Sequence, residues 1–438
     1  MDAFRITGGT PLSGTVEVSG AKNAALPIMA ASLLANRPVS LARVPALTDV
    51  RTMALLLGKL GVDCCWQTDG TLRLETVDAA PTTANYNLVR RMRASFCVLG
   101  PLLARRGRAI VALPGGCAIG DRPVDLHLRG LAALGANIRI ERGYVVAEAR
   151  RLVGARVHMR GPRGPTVTGT ANVLSAAVLA RGSTIITGAA REPEIVDLGQ
   201  FLISLGAQIH GLGTRTIEII GVDSLGGGQH RVIPDRIEAA TLLIAVAASG
   251  GEATVSGVVP AHLNAVLEKL HDFGVAVSVE RDHVAVRAHG RPRPGRVVAQ
   301  AYPGIPTDVQ SQFMALACLA DGHSVIDDRV FVERFRHVAE LVRMGACIDR
   351  EGSQSIVRGV ANLSGTEVTA SDLRASAALV VAGLAACGVT TLHRIDHLDR
   401  GYERLDAKLN RLGACIERVR IARGRRRCHK DSSSEFLP

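Results

Sequence analysis

One short pattern recurs along this chain and constrains its fold more than any other feature: an amphipathic helix, then Leu-Gly-Ala or a close variant, then a short alternating strand. The glycine of this pattern recurs at intervals of roughly 70 residues, at Gly61, Gly135, Gly206, Gly274, Gly345 and Gly413. It falls where a left-handed helix C-cap is expected. A helix rich in small apolar residues precedes each pattern, starting near Lys22, Arg93, Thr170, Asp235, Thr307 or Asp372. The sequence therefore predicts six copies of one α/β unit.

The two ends of the chain are predicted to share one of these units. Residues 12–15 (LSGT) repeat residues 363–366, and the sixth unit lacks the closing hairpin that the fifth unit has. The N-terminal strand is therefore predicted to complete the sixth unit. We expect two domains of three units each, and a basic tail. The predicted divisions are residues 1–21 with 233–419, residues 22–232, and the tail at 420–438. The chain would cross between the domains twice, and adjacent crossovers make a hinge beside a cleft.

Composition excludes several classes of protein. Apolar residues make up 47% of the chain but aromatic residues only 3%, so the core is expected to consist of Ala, Val, Leu and Ile. The nine cysteines form no CxxC pair, which favours a reduced, cytoplasmic protein. Neither a signal peptide nor an apolar run of membrane-spanning length is present, so we expect no membrane partner.

The net charge of +12 favours anionic partners. Part of it lies in the C-terminal tail, which its composition predicts to be disordered. The remainder could attract phosphate groups or nucleic acid. Four Tyr, eight Phe and one Trp are too few for base-stacking platforms, so we expect no nucleic-acid partner.

A glycine-rich loop at residues 113–127 (LPGGCAIGDRPVDLH) is the first candidate for chemistry. It carries Cys117 between glycines, followed by Asp121 and Arg122 just before a predicted helix. A nearby arginine and a helix N-terminus lower the pKa of a thiol and permit acid–base chemistry. The alternative is a buried structural cysteine, which behaves as a small apolar residue.

Cations at the starts of the small-residue helices are the second candidate feature. The helix dipole makes such positions unfavourable for cations, by about 0.3–1 kcal/mol each. They are nevertheless occupied by Lys22, Arg93, Arg236 and Arg374. An anion shared by the helix end and the side chain would explain the placement, whereas the alternative is a solvated surface.

Several segments of the chain form a recognisable set: SGAKNAALPIMAASLL (19–34), RRMRASFCVLGPLLAR (90–105), the cysteine loop, AAREPEIVDL (189–198), HRVIPDRIEA (230–239), PTDVQSQF (306–313), DLRASAALV (372–380) and HLDRGYERLDAKL (397–409). Together, over residues 1 to about 419, they resemble the UDP-N-acetylglucosamine 1-carboxyvinyltransferase family. The resemblance implies the enolpyruvyl transferase fold, an inside-out α/β barrel of two similar domains. It also implies transfer of enolpyruvyl from phosphoenolpyruvate to the 3-hydroxyl of UDP-N-acetylglucosamine, releasing phosphate, in the first committed step of peptidoglycan synthesis. It implies no cofactor and no metal.

The resemblance also assigns roles to residues. Lys22, Arg122 and Arg400 match positions that hold the phosphoenolpyruvate phosphate, and Arg374 matches one near its carboxylate. Cys117 matches the donor of a proton to C3 of phosphoenolpyruvate, and Asp308 the acceptor of the 3-hydroxyl proton. The sugar contacts are matched by Asn23, Arg93, Asp308, Val330 and Phe331. The uridine diphosphate contacts are matched by Arg122, Pro123, Val124, Asp125, Leu126, Gly164, Pro165, Thr166 and Val167.

Two departures from the family pattern fall in one segment. Where the family usually reads PSVGATEN, Thr168 replaces a glycine and Ala171 a glutamate. The branched Thr168 side chain is expected to crowd the diphosphate. This leaves open a divergent paralogue with weakened or regulatory nucleotide-sugar binding. The sister enzyme 3-phosphoshikimate 1-carboxyvinyltransferase, which lacks the cysteine loop, and a nucleic-acid-binding protein are further alternatives.

Overall fold

The computed structural model of the protein describes residues 2–114 and 123–420. Strands and helices alternate through these residues. The strands are β1 (Asp2–Thr7), β2 (Ser13–Glu17), β3 (Val39–Ala42), β4 (Val62–Trp66), β5 (Leu72–Thr76), β6 (Thr83–Ala84), β7 (Arg108–Ala112), β8 (Asn137–Glu141), β9 (Tyr144–Glu148), β10 (Arg156–His158), β11 (Arg160–Gly161), β12 (Gly164–Pro165), β13 (Ser183–Thr187), β14 (Gln208–His210), β15 (Thr216–Ile220), β16 (Gly228–Arg231), β17 (Glu252–Ser256), β18 (Ala276–Val279), β19 (His283–Arg287), β20 (Arg296–Ala299), β21 (His323–Asp328), β22 (Cys347–Glu351), β23 (Gln354–Arg358), β24 (Glu367–Thr369), β25 (Val389–His393) and β26 (Cys415–Arg420).

The α-helices are α1 (Lys22–Ala31), α2 (Thr48–Lys59), α3 (Tyr86–Val89), α4 (Leu99–Arg106), α5 (Asp125–Ala133), α6 (Val167–Ala177), α7 (Pro193–Ser204), α8 (Arg236–Ala248), α9 (Asn264–Asp272), α10 (Gln310–Ala317), α11 (Val338–Arg343), α12 (Leu373–Ala385) and α13 (Leu405–Arg411). Short 3-10 helices cover Ser32–Leu34, Arg93–Val98, Pro260–His262, Thr307–Val309 and Ile395–Arg400.

Six four-stranded sheets of one design are present in the described part of the chain, which confirms the predicted repeat. Each has one parallel pair followed by two antiparallel pairs, as in β6–β7, β7–β9 and β9–β8. In the sixth sheet β1 pairs antiparallel with both β25 and β26, so the N-terminal strand completes that unit as predicted. The sheet orders are β16-β3-β5-β4, β6-β7-β9-β8, β10-β13-β15-β14, β18-β19-β17-β2, β20-β21-β23-β22 and β24-β25-β1-β26.

The glycine that marks each unit does end a helix. All six of these glycines have positive φ, from 78° at Gly61 to 107° at Gly206, a conformation that side chains disfavour. The starts of the small-residue helices are less regular than predicted. At Arg93 and Thr307 the chain first forms a 3-10 helix. The helix expected from Thr170 begins three residues earlier, because the Thr166 hydroxyl accepts a hydrogen bond from the Gly169 N–H and caps it.

Two hydrophobic cores fill the described residues and have no member in common. The first draws on residues 21–232, and the second on residues 4–18 and 237–416. The small-residue helices lie inside them, and α8 and α12 are buried along almost their whole length. The amphipathic helices carry polar faces outside. None of the helices described here is both long and apolar enough to cross a membrane.

The two segments that run from one core to the other lie side by side. Gly20 and Pro234 form an isolated antiparallel bridge, and the Ala21 N–H donates to the Ile233 carbonyl at 2.7 Å. A Cβ at Gly20 would lie 1.8 Å from the Arg43 carbonyl oxygen. Only glycine permits this close approach, so the residue before the AKN motif fixes how the crossovers pack.

Candidate active site

A carboxylate that two cations share forms the first part of the candidate site. Lys22 is the first residue of α1, and its Nζ lies 3.4 Å from Oδ2 of Asp49 in the first turn of α2. Arg400 ends a 3-10 helix of the second core, and its Nε lies 2.9 Å from Oδ1 of the same carboxylate. Burial lowers the pKa of Lys22, although the Asp49 carboxylate opposes that effect. Asp49 thus joins two cations that the sequence predicts to bind one phosphate.

Asp308 is the second carboxylate of the site and lies in the 3-10 helix that leads into α10. Arg334 Nη1 lies 2.9 Å from its Oδ1, and Arg374 Nη2 lies 3.2 Å from its Oδ2. Asn23 donates from Nδ2 to Oδ2 at 3.3 Å, and this bond connects the two cores. Burial favours a higher pKa for Asp308, but Arg374 and Arg334 hold the pKa well below its usual range. The side chain is therefore ionised at neutral pH.

The cations of the site outnumber its carboxylates. Among the described residues, Asp49 and Asp308 are shared by Lys22, Arg334, Arg374 and Arg400. Three of these cations are almost completely buried, with exposures of 8% for Lys22, 7% for Arg334 and 3% for Arg374. Surplus positive charge in a buried place is costly until an anion compensates it. Asp235 and Asp328 offset part of the charge on Arg374 and Arg334, and the remaining positive charge favours an anionic ligand.

The other two helix-start cations also have protein partners. Arg236 makes a two-pronged contact with the buried Glu194, from Nε at 2.9 Å and Nη2 at 3.1 Å. This carboxylate neutralises Arg236, so the structure gives no support to the expectation that it waits for a bound anion. Arg93 donates from Nη2 to the Pro123 carbonyl at 3.3 Å, next to the predicted nucleotide contacts.

A cavity of about 1080 Å³ lies between the two cores. Gly164, Pro165 and Val330, three of the predicted contacts, line it, and the segment 300–305 of the second core closes its other side. Arg160, Arg163 and other basic side chains also face it. The Val330 and Phe331 N–H groups donate to Asp328 Oδ1 at 2.9 and 2.8 Å, which fixes the turn that carries both residues. A cavity of this size with a basic lining suits an elongated anionic ligand.

Within the described residues, the remaining predicted nucleotide contacts lie at the starts of two neighbouring helices. Pro123 and Val124 immediately precede α5, and Asp125 and Leu126 are its first two residues. Thr166 caps α6 and Val167 is its first residue. Helix N-termini offer free N–H groups and positive potential, which suits a diphosphate.

Thr168 is held by a buried histidine. Its Oγ1 lies 3.2 Å from Nε2 of His127, whose Nδ1 lies 2.9 Å from Nδ2 of Asn172. The Asn172 Oδ1 accepts from the Gly100 N–H at 2.8 Å, so Nδ2 is the donor to His127. Nε2 of the neutral ring then carries the hydrogen and donates to Thr168. The Thr168 hydroxyl is thus tied to His127.

The structure brings together Lys22, Asn23, Asp308, Arg374 and Arg400, and the roles assigned to them stay predictions. Cys117, Asp121 and Arg122 lie outside the described residues, so their predicted roles stay predictions.

Sequence reasoning missed Asp49 and Arg334. An acidic residue in a first helical turn is common because it suits the helix dipole, so Asp49 carries no signal of its own. Arg334 stands in no recognised motif, and only the folded chain brings it to Asp308.

Comparison with known proteins shows the family of the chain. The family model described as EPSP synthase (3-phosphoshikimate 1-carboxyvinyltransferase) matches residues 6–409. A UDP-N-acetylglucosamine 1-carboxyvinyltransferase of Anaeromyxobacter sp. (strain K) is 53% identical over 427 residues, covering 96% of this chain and 100% of the relative.

Solved structures share the fold. The enolpyruvyl transferase NikO from Streptomyces tendae is similar with a TM-score of 0.86 at 26% identity, over 95% of this chain and 99% of that one. EPSP synthase from Acinetobacter baumannii matches with a TM-score of 0.74 at 19% identity, over 96% of this chain and 100% of that one. With six repeated units, two cores and these relatives, the chain belongs to the enolpyruvyl transferase family, and within it groups with the UDP-N-acetylglucosamine 1-carboxyvinyltransferases.

Proposed function

We propose that this protein transfers the enolpyruvyl group of phosphoenolpyruvate to the 3-hydroxyl of UDP-N-acetylglucosamine and releases phosphate. The observation that carries the proposal is the cluster of Lys22, Arg374 and Arg400 beside the ionised Asp308. The name of the 53% identical relative supports the same reaction. The reaction is the first committed step of peptidoglycan synthesis, for which we propose a cytoplasmic location.

Phosphoenolpyruvate carries about three negative charges at neutral pH, and the cation cluster suits it. We assign its phosphate to Lys22 and Arg400, joined by Arg122, and its carboxylate to Arg374, whose planar guanidinium can bind a carboxylate in two-pronged fashion. Asp49 keeps Lys22 and Arg400 close together before the phosphate binds. The phosphate then inserts between cations that are already in position, so little ordering cost remains.

The chemistry needs a proton donor and a proton acceptor. Cys117 is assigned to protonate C3 of phosphoenolpyruvate, which makes C2 electrophilic. Asp308 takes the proton of the 3-hydroxyl as that oxygen attacks C2, and its low pKa keeps it unprotonated beforehand. Loss of a C3 proton with phosphate then restores the enol ether. Asn23, which already bonds to Asp308, is assigned to orient the sugar.

The nucleotide is assigned to the cavity between the cores, with its diphosphate near the starts of α5 and α6. We propose that the two cores are two domains with the boundaries predicted from the repeat, and that the paired crossovers act as the hinge. Ligand contacts on both sides of the cavity would then favour closure of the domains around the substrates.

One alternative acceptor is 3-phosphoshikimate, because the matching family model bears that enzyme's name. Identity to the solved EPSP synthase is 19%, against 53% to the UDP-N-acetylglucosamine enzyme, which favours the nucleotide sugar. A second alternative is a paralogue that binds the nucleotide sugar for regulation and releases no phosphate. The observation in its favour is Thr168 at a usual glycine position.

A direct assay separates these functions. Purified protein is mixed with phosphoenolpyruvate and either UDP-N-acetylglucosamine or 3-phosphoshikimate, and inorganic phosphate is measured. We expect phosphate release from phosphoenolpyruvate with UDP-N-acetylglucosamine and none with 3-phosphoshikimate. Release only with 3-phosphoshikimate would assign the sister activity, and binding of the nucleotide sugar without release would assign the regulatory role. Binding to polynucleotide that falls steeply with salt would instead indicate a nucleic-acid-binding protein.

A further inference from the structure

A buried polar network lies directly behind the Asp308–Arg374 pair, and the proposed mechanism does not use it. It consists of Thr241 on α8, Gln312 on α10 and Tyr402 between the last two helices. The exposed fraction of each of these residues is at most 2%. Buried polar groups are costly unless satisfied, and a network fully enclosed by apolar side chains fixes the positions of its members.

The hydrogen atoms in this network can be assigned from the bonds. The Thr241 hydroxyl donates to the Ile237 carbonyl at 2.8 Å, so its oxygen is an acceptor for the other contacts. Tyr402 Oη lies 2.8 Å from it and must be the donor. Gln312 Nε2 lies 3.0 Å from Thr241 Oγ1 and 3.2 Å from Tyr402 Oη. Its two hydrogens serve these oxygens and the Asp308 carbonyl, so one hydrogen is shared between two acceptors.

The same network reaches both members of the catalytic pair. Gln312 Nε2 also donates to the backbone carbonyl of Asp308 at 3.0 Å. The guanidinium of Arg374 stands over the Tyr402 ring, 5.4 Å from its centroid, a distance at which a desolvated cation–π contact is favourable. Ser311 completes the connection, because its hydroxyl lies 2.8 Å from Gln312 Oε1 and 3.0 Å from the Arg374 carbonyl.

Tyr402 itself is placed by the segment on either side of it. Arg400, two residues earlier, contacts Asp49, and Glu403 accepts hydrogen bonds from the Ser19 hydroxyl at 2.6 Å and the Ala46 N–H at 3.1 Å. A Cβ at Gly401 would lie 2.5 Å from Leu373 Cδ2, so the backbone presses against the start of α12. The ring of Tyr402 therefore has little freedom to move away from Arg374.

We propose that Tyr402 is a positioning residue: its ring holds the Arg374 guanidinium, and its hydroxyl, through Gln312, holds the backbone of Asp308. The ring serves Arg374, and the hydroxyl serves the Asp308 backbone through Gln312 while also interacting with the Arg374 side chain. The effects expected on the reaction rest on the proposed function. The ring affects binding of phosphoenolpyruvate, and the hydroxyl affects the step in which Asp308 takes the proton. A displacement of about 1 Å in either group is enough for a large loss of rate.

The two halves can be separated by two variants. Tyr402→Phe keeps the ring under Arg374 and loses the hydroxyl, so kcat should fall about tenfold while KM for phosphoenolpyruvate rises less than in Tyr402→Leu. Tyr402→Leu loses both, so KM for phosphoenolpyruvate should also rise about tenfold. Gln312→Met removes the amide bonds at similar length and should reproduce the fall in kcat. Tyr144→Phe is the matched control, because it removes a hydroxyl that serves the Tyr86 N–H on an outer sheet, and both constants should be unchanged.

A purely structural role for Tyr402 gives a different result. It would lower the melting temperature of both variants while leaving kcat and KM of the folded fraction as in wild type, and this outcome overturns the proposal. The Arg374→Ala background gives an independent check, since adding Tyr402→Leu there should raise KM no further. If Tyr402→Leu raises KM as much in the Arg374→Ala background as it does in the wild type, the ring does not act through Arg374.

Wild-type protein is assayed first, so that the two proposals fail separately. Absence of phosphate release from the wild type counts against the proposed function alone. The role of Tyr402 is then read from crystal structures of Tyr402→Phe and Tyr402→Leu. Loss of the 3.2 Å contact between Arg374 and Asp308 in Tyr402→Leu supports it, and an unchanged contact overturns it.

Discussion

At the scale of single residues, the site depends on two carboxylates with different duties. Asp308 has its pKa held low by arginines despite its burial, so it is ionised before the substrates bind. Asp49 has no assigned chemical step, and its geometry instead keeps Lys22 and Arg400 together. The motifs locate the cations and Asp308, but not their partners, because ion pairs across the fold depend on packing that no local pattern records.

Arg400→Ala tests the phosphate assignment. A hydrogen bond to a charged group contributes about 1.5–3 kcal/mol, so kcat/KM for phosphoenolpyruvate should fall roughly tenfold to a hundredfold. The dissociation constant for UDP-N-acetylglucosamine, measured by calorimetry, should change little. Arg411→Ala, an exposed arginine at the end of α13, is the control and should leave both values unchanged. Equal loss of binding for both ligands would contradict the assignment.

Thr168 offers a second test at this scale. If the bulk of its side chain crowds the diphosphate, Thr168→Gly should tighten UDP-N-acetylglucosamine binding by about 1 kcal/mol after the entropic cost of glycine. Thr168→Val keeps the bulk but loses the contact with His127, so it should not tighten binding. Calorimetric titration of both variants separates the effects. Equal tightening in both would assign the effect to the hydroxyl and its histidine, and weaker binding in Thr168→Gly would exclude crowding.

At the scale of elements, the glycine that ends each amphipathic helix explains why the repeat could be detected without a structure. A left-handed C-cap strongly prefers glycine, so glycine occurs at the same position of every repeat. The exact helix starts are not tied to one residue type. Thr166 starts α6 early through its own hydroxyl, and Arg93 begins a 3-10 helix, because these ends depend on local hydrogen bonds that several sequences can make.

Two glycine substitutions separate the effect of backbone conformation on stability from the effect of steric crowding. Gly345 has φ of 93°, and Gly58 lies inside α2, yet a Cβ would meet nothing within 4 Å at either position. Gly345→Ala should destabilise by about 1–2 kcal/mol, because alanine resists the left-handed conformation. Gly58→Ala should stabilise by about 0.5–1 kcal/mol, because alanine favours the helix. The melting temperatures of the two variants, measured by calorimetry, should therefore shift in opposite directions from that of the wild type. A shift of the same sign in both variants would refute the explanation.

At the scale of the whole molecule, the two segments that cross between the cores lie side by side, next to the site. The Asp235 carboxylate caps α8 by accepting from the Ile237 N–H at 2.8 Å, and it also accepts from the Lys22 N–H at the start of α1 at 3.2 Å. The starts of two buried helices, one in each core, are thereby fixed to one carboxylate. Any shift of the crossovers must then be transmitted to Lys22, and so to the proposed phosphate contact.

Gly20→Ala tests this coupling. Its added methyl would lie 1.8 Å from the Arg43 carbonyl, so the bridge with Pro234 must open. We expect a loss of stability of about 3 kcal/mol, at the upper end for overpacking. Because Lys22 follows two residues later, KM for phosphoenolpyruvate should rise as well. Gly226→Ala is the control, since its Cβ would come no closer than 3.6 Å to a neighbour. The melting temperature of this variant and its KM for phosphoenolpyruvate should both be unchanged. A destabilised Gly20→Ala protein with unchanged KM would show that the crossovers support the fold without positioning Lys22.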